Sequence, residues 1–312
     1  AEGYYYAAVE REVLFSGDRT RAEVHLRIVE RFIVRVGEIR FVGLGQTRES
    51  LCRRVIDLAR GDRLTPRSIR RAQQRLIDLG VFGGVTIAPD DEDLPARVKD
   101  LTITLSERKT QYLDFTAGVS TGQGARFGLE YGFRNIAGTA LQVSARAQFG
   151  YQFFFLDQTL EDRFQALSLG DRLERRVALV FTAPYVGLPG VRTSLAFSHQ
   201  RENERAFGLT KNGIDLTFTW SPRRLFSLSL SGDIENNDIS ILGAESYEEL
   251  LANTMDLRLR QLLRVPEGTS TLFATALTAS VDLRDNPFNP RQGFSASMTV
   301  EYAKTLLPAV IE

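Results

Sequence analysis

Side chains able to do covalent or acid–base chemistry are few in this chain of 312 residues. There are two histidines, His25 and His199, and one cysteine, Cys52. Neither histidine stands in a nucleophile or metal-ligand spacing, and a lone cysteine supports neither an internal disulfide nor a cysteine-rich zinc site. One charged cluster is Asp282-Leu283-Arg284-Asp285-Asn286, with Pro287 and Pro290 close behind and Gly293 after them. Its two prolines cannot pair in a ladder, so it reads as a rigid turn whose charges satisfy one another, not as a general acid and base. The sequence predicts no catalytic residue, no metal site, no cofactor and no enzyme.

Lys plus Arg and Asp plus Glu both number 39, so no global basic field points to nucleic acid. No run approaches the ~20 apolar residues of a membrane helix. A membrane barrel escapes that test, because its strands alternate apolar and polar side chains. Average hydropathy, which usually marks a chain like this one as soluble, therefore leaves a barrel open, and the periodicity of the elements has to decide.

Two kinds of element meet near residue 110. Over 33–109 the pattern is strand, helix, helix, strand, strand. A β-rich run covers 34–42. Thr47 reads as an N-cap, with Leu51, Val55 and Leu58 at helical spacing until Gly61. Thr65 and Pro66 start a second helix with Ile69, Ala72, Leu76 and Leu79 on its apolar face and Gly80 as its cap. Runs 81–88 and 98–105 are strands joined by an acidic turn. Residues 1–32 look like the last two strands of another copy of this unit, with a turn at Gly17-Asp18 and Val24, Leu26 and Ile28 alternating out of it.

From residue 110 onward the period is two. Leu113, Phe115, Ala117 and Val119 alternate with Asp114, Thr116, Gly118 and Ser120, and similar rows recur to Phe294–Tyr302. About nine such strands, of about ten residues each, fit an outer-membrane barrel, with a soluble β-sandwich as the competing architecture. Gly, Ser and Gln dominate the polar rows, and the long connections, 152–172 and 235–270, both follow odd-numbered strands. Within 235–270, residues 246–252 could form a short helix and 255–263 a strand.

Three stretches resemble the superfamily of BamA, TamA and their organellar counterparts. They are Leu76–Val85, similar to a POTRA helix-to-strand junction; Tyr131–Thr139, which contains Arg134-Asn135-x-x-Gly138; and Asp282–Gly293, similar to the mid-barrel turn. The resemblance implies an α+β POTRA domain at 33–109, half of a preceding one at 1–32, and the first part of an antiparallel transmembrane β-barrel at 110–312. A barrel of roughly sixteen strands is implied, so the chain reads as a fragment lacking a signal peptide, the Val-Arg-Gly-Phe/Tyr segment and an aromatic last strand.

The resemblance also implies an assembly factor of the bacterial outer membrane, its N-terminal domains in the periplasm. Its partners would be outer-membrane lipid, unfolded β-barrel clients and periplasmic or lipoprotein accessory proteins. Clients would add to the edge strand Val85, Thr86, Ile87 and Ala88, and to a weak barrel seam at Leu113, Phe115, Ala117, Gly118, Val119 and Gly122. The alternatives are a two-partner secretion pore of the same architecture and a plain outer-membrane structural protein.

Overall fold

The computed structural model describes residues 4–17, 20–91, 94–121, 124–155, 158–187, 190–203, 207–223, 225–241, 268–286 and 289–307. The chain divides into two compact units. One comprises residues 1–108 with Ala137–Ala140, the other residues 109–136 with 141–312.

In the first unit β1 (Ala8–Phe15) and β2 (Ala22–Val29) pair as an antiparallel hairpin. There follow β3 (Arg35–Val42), α1 (Glu49–Ile56), α2 (Pro66–Asp78), β4 (Phe82–Pro89) and β5 (Val98–Glu107), in the order that the periodicity predicts. The sheet order is β3-β5-β4, with β3 parallel and β4 antiparallel to the central β5. Leu101, Ile103 and Leu105, alternate residues of β5, are buried together with Leu51, Val55 and Ile56 of α1 and Ala72 and Leu76 of α2. Each large side chain buried in this way contributes about 1.5–3 kcal/mol. Val34, Val36, Leu64 and Leu101 form one cluster, against which Tyr5, Tyr6 and Phe32 pack.

Helix α2 begins as its sequence indicates. Ser68 N–H donates to Thr65 Oγ1 at 2.9 Å, Thr65 N–H donates to Ser68 Oγ at 3.0 Å, and Pro66 opens the first turn. It ends at Leu79, with Gly80 following at φ +74°. Helix α1 departs from the expectation. Its N-cap is Arg48, without a side-chain cap, because Thr47 is engaged elsewhere: its N–H donates to Glu107 Oε1 at 2.8 Å and its hydroxyl also bonds to Glu107. Asp57 adopts φ +53° and stops the helix before Leu58 and Gly61.

The second unit is one nine-stranded antiparallel sheet. Its strands are β6 (Gln111–Ser120), β7 (Gly124–Ile136), β8 (Leu141–Tyr151), β9 (Leu173–Ala183), β10 (Val191–Asn203), β11 (Phe207–Arg223), β12 (Phe226–Ile241), β13 (Gly268–Asp282) and β14 (Ser295–Leu307). They pair strictly in sequence order, from β14 to β6. The register places apolar side chains in continuous rows on one face. One row runs Leu113, Tyr131, Ala145, Leu179, Phe197, Ile214. The other face carries Asp114, Glu130, Arg146, Ala178 and Ser198.

Among the described residues, no second layer covers the apolar rows. Phe115 is 78% exposed, Phe127 64% and Met298 68%, and the large hydrophobics buried in the described part of this sheet unit come down to Phe164. A sandwich would have hidden these rows in a dry core, so the sandwich alternative is excluded. Long connections follow β8 and β12, the third and seventh strands of the sheet, as the parity of the sequence suggests. Two details were not anticipated. The connection after β8 contains α3 (Gln158–Ala166) and the single turn α4 (Leu169–Arg172), capped by Ser168 Oγ. The connection after β12 is shorter than 235–270, because β12 continues to Ile241 and β13 begins at Gly268; the helix and strand expected at 246–252 and 255–263 lie outside the described residues.

Candidate strand-pairing edges

Among the described residues, β4 pairs with β5 alone, so Val85, Thr86, Ile87 and Ala88 lie on an outer strand. Which of them point outward follows from the ladder. Asp90 N–H donates to Asp100 C=O at 2.9 Å. In the register Ala88↔Thr102 and Thr86↔Thr104, that bond fixes the even-numbered residues as the ones bonded to β5, since the two pair types alternate in an antiparallel ladder. Val85, Ile87 and Pro89 therefore turn their backbone groups to the open edge. Pro89 has no N–H to offer, which suits it to an edge.

The same reasoning applies to β6, the outer strand of the large sheet. Arg134 N–H donates to Thr110 C=O at 2.6 Å, and the register Tyr112↔Gly132 continues without a shift. Even-numbered residues thus bond to β7, whereas Leu113, Phe115, Ala117 and Val119 present N–H and C=O to the open edge. The expected seam residues divide between two roles. Gly118 bonds toward β7 and its missing side chain leaves open space, and Gly122 lies outside the described residues. Gly124 has φ +69° and serves the turn between β6 and β7.

One end of β6 is fastened to β7 by side chains of which the sequence reading singled out only Arg134, and that as part of a turn. The Tyr112 ring lies where a side chain at position 132 would stand, so only Gly132 accommodates it. Tyr112 OH donates to Glu130 Oε1 at 2.9 Å, Arg146 Nε donates to Glu130 Oε2 at 2.8 Å, and Arg134 Cζ lies 4.1 Å from the Tyr112 ring centroid. Cross-strand register brings these residues together across β6, β7 and β8. An aromatic opposite a glycine on the polar rows was the signal available in the sequence.

The two turn motifs are built from backbone. Asn135, Ala137 and Gly138 adopt φ of +64°, +50° and +71°, with Asn135 buried. Arg134 holds the Tyr112 ring, as above. In the other turn, Arg284 Nε and Nη2 donate to Asp282 Oδ1 and Oδ2 at 2.8 and 2.6 Å. Asp285 does not complete a charge triad as expected. Its Oδ1 accepts from the N–H groups of Asn286, Arg291 and Gln292 at 2.9, 3.0 and 3.2 Å. The Arg291 and Gln292 bonds hold its carboxyl below the usual carboxylate range. The reason is geometric: Leu283 N–H to Phe294 C=O, and Asp285 N–H to Gln292 C=O, close a loop whose inward N–H groups converge on Asp285. Asn286 Oδ1 accepts from Asn289 N–H at 3.3 Å and Gly293 sits at φ +98°; Pro287 lies outside the described residues, and Pro290 stands in the bend.

Two further groups bear on chemistry. Burial pushes the Cys52 thiol up to about 12, which leaves it a poor nucleophile. Burial would also raise Glu107, but bonds from the Thr47 hydroxyl and from the N–H groups of Gln46, Thr47 and Gly45 outweigh it and hold the carboxyl below its ordinary value.

Family models match both units. The Omp85 superfamily domain matches residues 135–310, and the POTRA model, a surface antigen variable number repeat, matches residues 34–108. The chain belongs to the Omp85 superfamily. Among solved structures it resembles BamA from Haemophilus ducreyi lacking POTRA domains 1–3, at TM-score 0.56 and 17% identity over 97% of this chain and 54% of that one. It also resembles CdiB from Acinetobacter baumannii, at TM-score 0.53 and 12% identity over 98% of this chain and 51% of that one. At these identities the likeness speaks for the fold, and the Omp85 chain described here spans about half the length of either relative.

Proposed function

We propose that this Omp85-superfamily chain belongs to a non-enzymatic factor of the bacterial outer membrane that folds and inserts β-barrel proteins. Its apolar rows would face lipid, and its N-terminal unit, read as one POTRA domain after half of another at 1–32, would stand in the periplasm. Unfolded clients would be its substrates, with periplasmic or lipoprotein accessory proteins as further partners. A single observation carries this reading: among the described residues, β4 and β6 each end their sheet with alternate N–H and C=O groups that no neighbouring strand pairs. In hydrocarbon such an edge costs several kcal/mol for each unsatisfied group unless a strand covers it, so β6 is fit to template an incoming strand.

Leu113→Pro tests the role. It removes one outward N–H from β6 and leaves the bonds to β7 in place. The expected outcome is a strain in which this protein accumulates normally while other outer-membrane barrels fail to assemble. Normal assembly of all of them removes the reading. The alternative, a two-partner secretion pore exporting one soluble client, draws support from the polar face, where Arg126–Glu174 and Arg176–Glu202 ion pairs line a wettable wall. Steady conductance of the purified intact protein, combined with unimpaired barrel assembly in the Leu113→Pro strain, would favour it.

A further inference from the structure

The open edge of β4 is not equally available along its length. Its outward residues are Val85, Ile87 and Pro89, as the ladder to β5 dictates. Pro89 contributes only a carbonyl. Gln73, on α2, donates from its side-chain Nε2 to Val85 C=O at 2.7 Å. That bond is partly buried and crosses from the helix to the strand, which keeps water from competing fully with it. Among the described residues no group bonds to Ile87 N–H or C=O.

A strand that adds to this edge takes its hydrogen bonds from outward residues two apart, because intervening ones are committed to the sheet. Beyond the register shift between Phe82 and Gly84 this leaves two residues of β4 with both groups, Val85 and Ile87, and one of those four groups is already engaged by Gln73. Val85 and Ile87 also turn their side chains toward the helices, whereas Thr86 and Ala88 are exposed. An added strand is therefore selected by backbone geometry, with little side-chain discrimination at the two pairing positions.

We propose that Gln73 is a latch on the pairing edge, occupying the Val85 carbonyl until an extended segment of a client polypeptide displaces it. This rests on the reading of β4 as a client edge. Pairing begins at Ile87, whose groups are unengaged, and reaches Val85 last, when the client N–H replaces the Gln73 amide. The latch weakens the capture of a client by the strength of one bond, so that release stays fast enough for handover.

The probe is a fluorescein-labelled peptide copying Ser295–Lys304, an alternating strand of the kind that a barrel client would present. Its affinity is measured on the intact protein in detergent by fluorescence anisotropy. Gln73→Leu keeps the helix and the side-chain bulk and removes the donor. A net hydrogen bond predicts peptide binding about two- to twelvefold tighter in this variant. Ile87→Pro locates the peptide, since it deletes one outward N–H and spares the ladder to β5. Methylating alternate peptide nitrogens asks the same question without altering the protein, and amide exchange in β5 checks that the variants fold.

Tighter binding in Gln73→Leu, abolished by Ile87→Pro or by peptide methylation, supports the latch. Binding lost in Ile87→Pro but unchanged or weaker in Gln73→Leu overturns the latch and leaves the edge reading standing. Binding indifferent to both Ile87→Pro and methylation, or absent from every form, overturns the edge reading and the latch with it.

Discussion

Gly132→Ala is a small change with a calculable consequence. The Tyr112 ring occupies the space that a Cβ at position 132 needs, so the methyl forces the ring away from β7. Two interactions go with it. The Tyr112 hydroxyl loses Glu130 Oε1 at 2.9 Å, and Arg134 loses the ring face at 4.1 Å. A hydrogen bond to a charged group contributes about 1.5–3 kcal/mol. Glu130 keeps its bonds from Arg146, so the lower end applies. The cation–π contact at a half-exposed site adds about 0.5–1 kcal/mol. The substitution should cost about 2–2.5 kcal/mol, and Tyr112→Phe, which keeps the ring in place, should cost about 1.5 kcal/mol for the hydroxyl alone. The assay is urea unfolding of the intact protein in liposomes, followed by the gel shift between folded and unfolded barrel. A double-mutant cycle supplies the decisive comparison. In a Tyr112→Ala background, where no ring fills the notch, Gly132→Ala should cost less than about 0.5 kcal/mol. An equal cost in both backgrounds would refute the fastening of β6 by this pair.

Two other outcomes follow from the same structure. Glu107 has its folded pKa below the unfolded value, so its stabilising contribution is complete above the ordinary carboxylate range and is lost as pH falls through the folded value. Melting temperature should therefore fall below about pH 5 in the wild type and less steeply in Glu107→Gln, and parallel pH profiles would contradict this. Leu277, between Leu230 and Val300 on an apolar row, should cost about 2–4 kcal/mol when changed to Arg if it lies at the bilayer midplane, whereas Thr278→Arg on the opposite face should be tolerated. Urea midpoints of the two variants in liposomes measure the difference, and equal midpoints would contradict the face assignment.

Much of the fold was legible because each element announces itself through local chemistry. Period-two rows from Leu113 onward fixed the strands and their faces, and Thr65-Pro66 fixed the start of α2. Where the reading fell short, a distant residue decided the outcome. Thr47 could have capped α1, but Glu107, 60 residues away, claims both its N–H and its hydroxyl. Asp285 was expected to share in the mutual pairing of Asp282 and Arg284, yet the closing of its own turn aims three backbone N–H groups at it. Helices α3 and α4 are short, and their one clear signal, Ser168 before Asp171, sits in a connection with weak periodicity. The candidate edges were named as whole segments. Which residues of each segment point outward, and the engagement of Val85 by Gln73, depend on hydrogen-bond parity, which no single strand's sequence encodes.

The central claim is that the odd-numbered side chains of β6 meet lipid and the even-numbered ones an aqueous interior. Single nitroxide labels at each position from Leu113 to Ser120, in a Cys52→Ala background and in liposomes, measure this by collision with oxygen and with a water-soluble nickel chelate. Oxygen accessibility should peak at Leu113, Phe115, Ala117 and Val119, and nickel accessibility at Asp114, Thr116, Gly118 and Ser120. Oxygen and nickel profiles that rise and fall together, or that show no period of two, would contradict it.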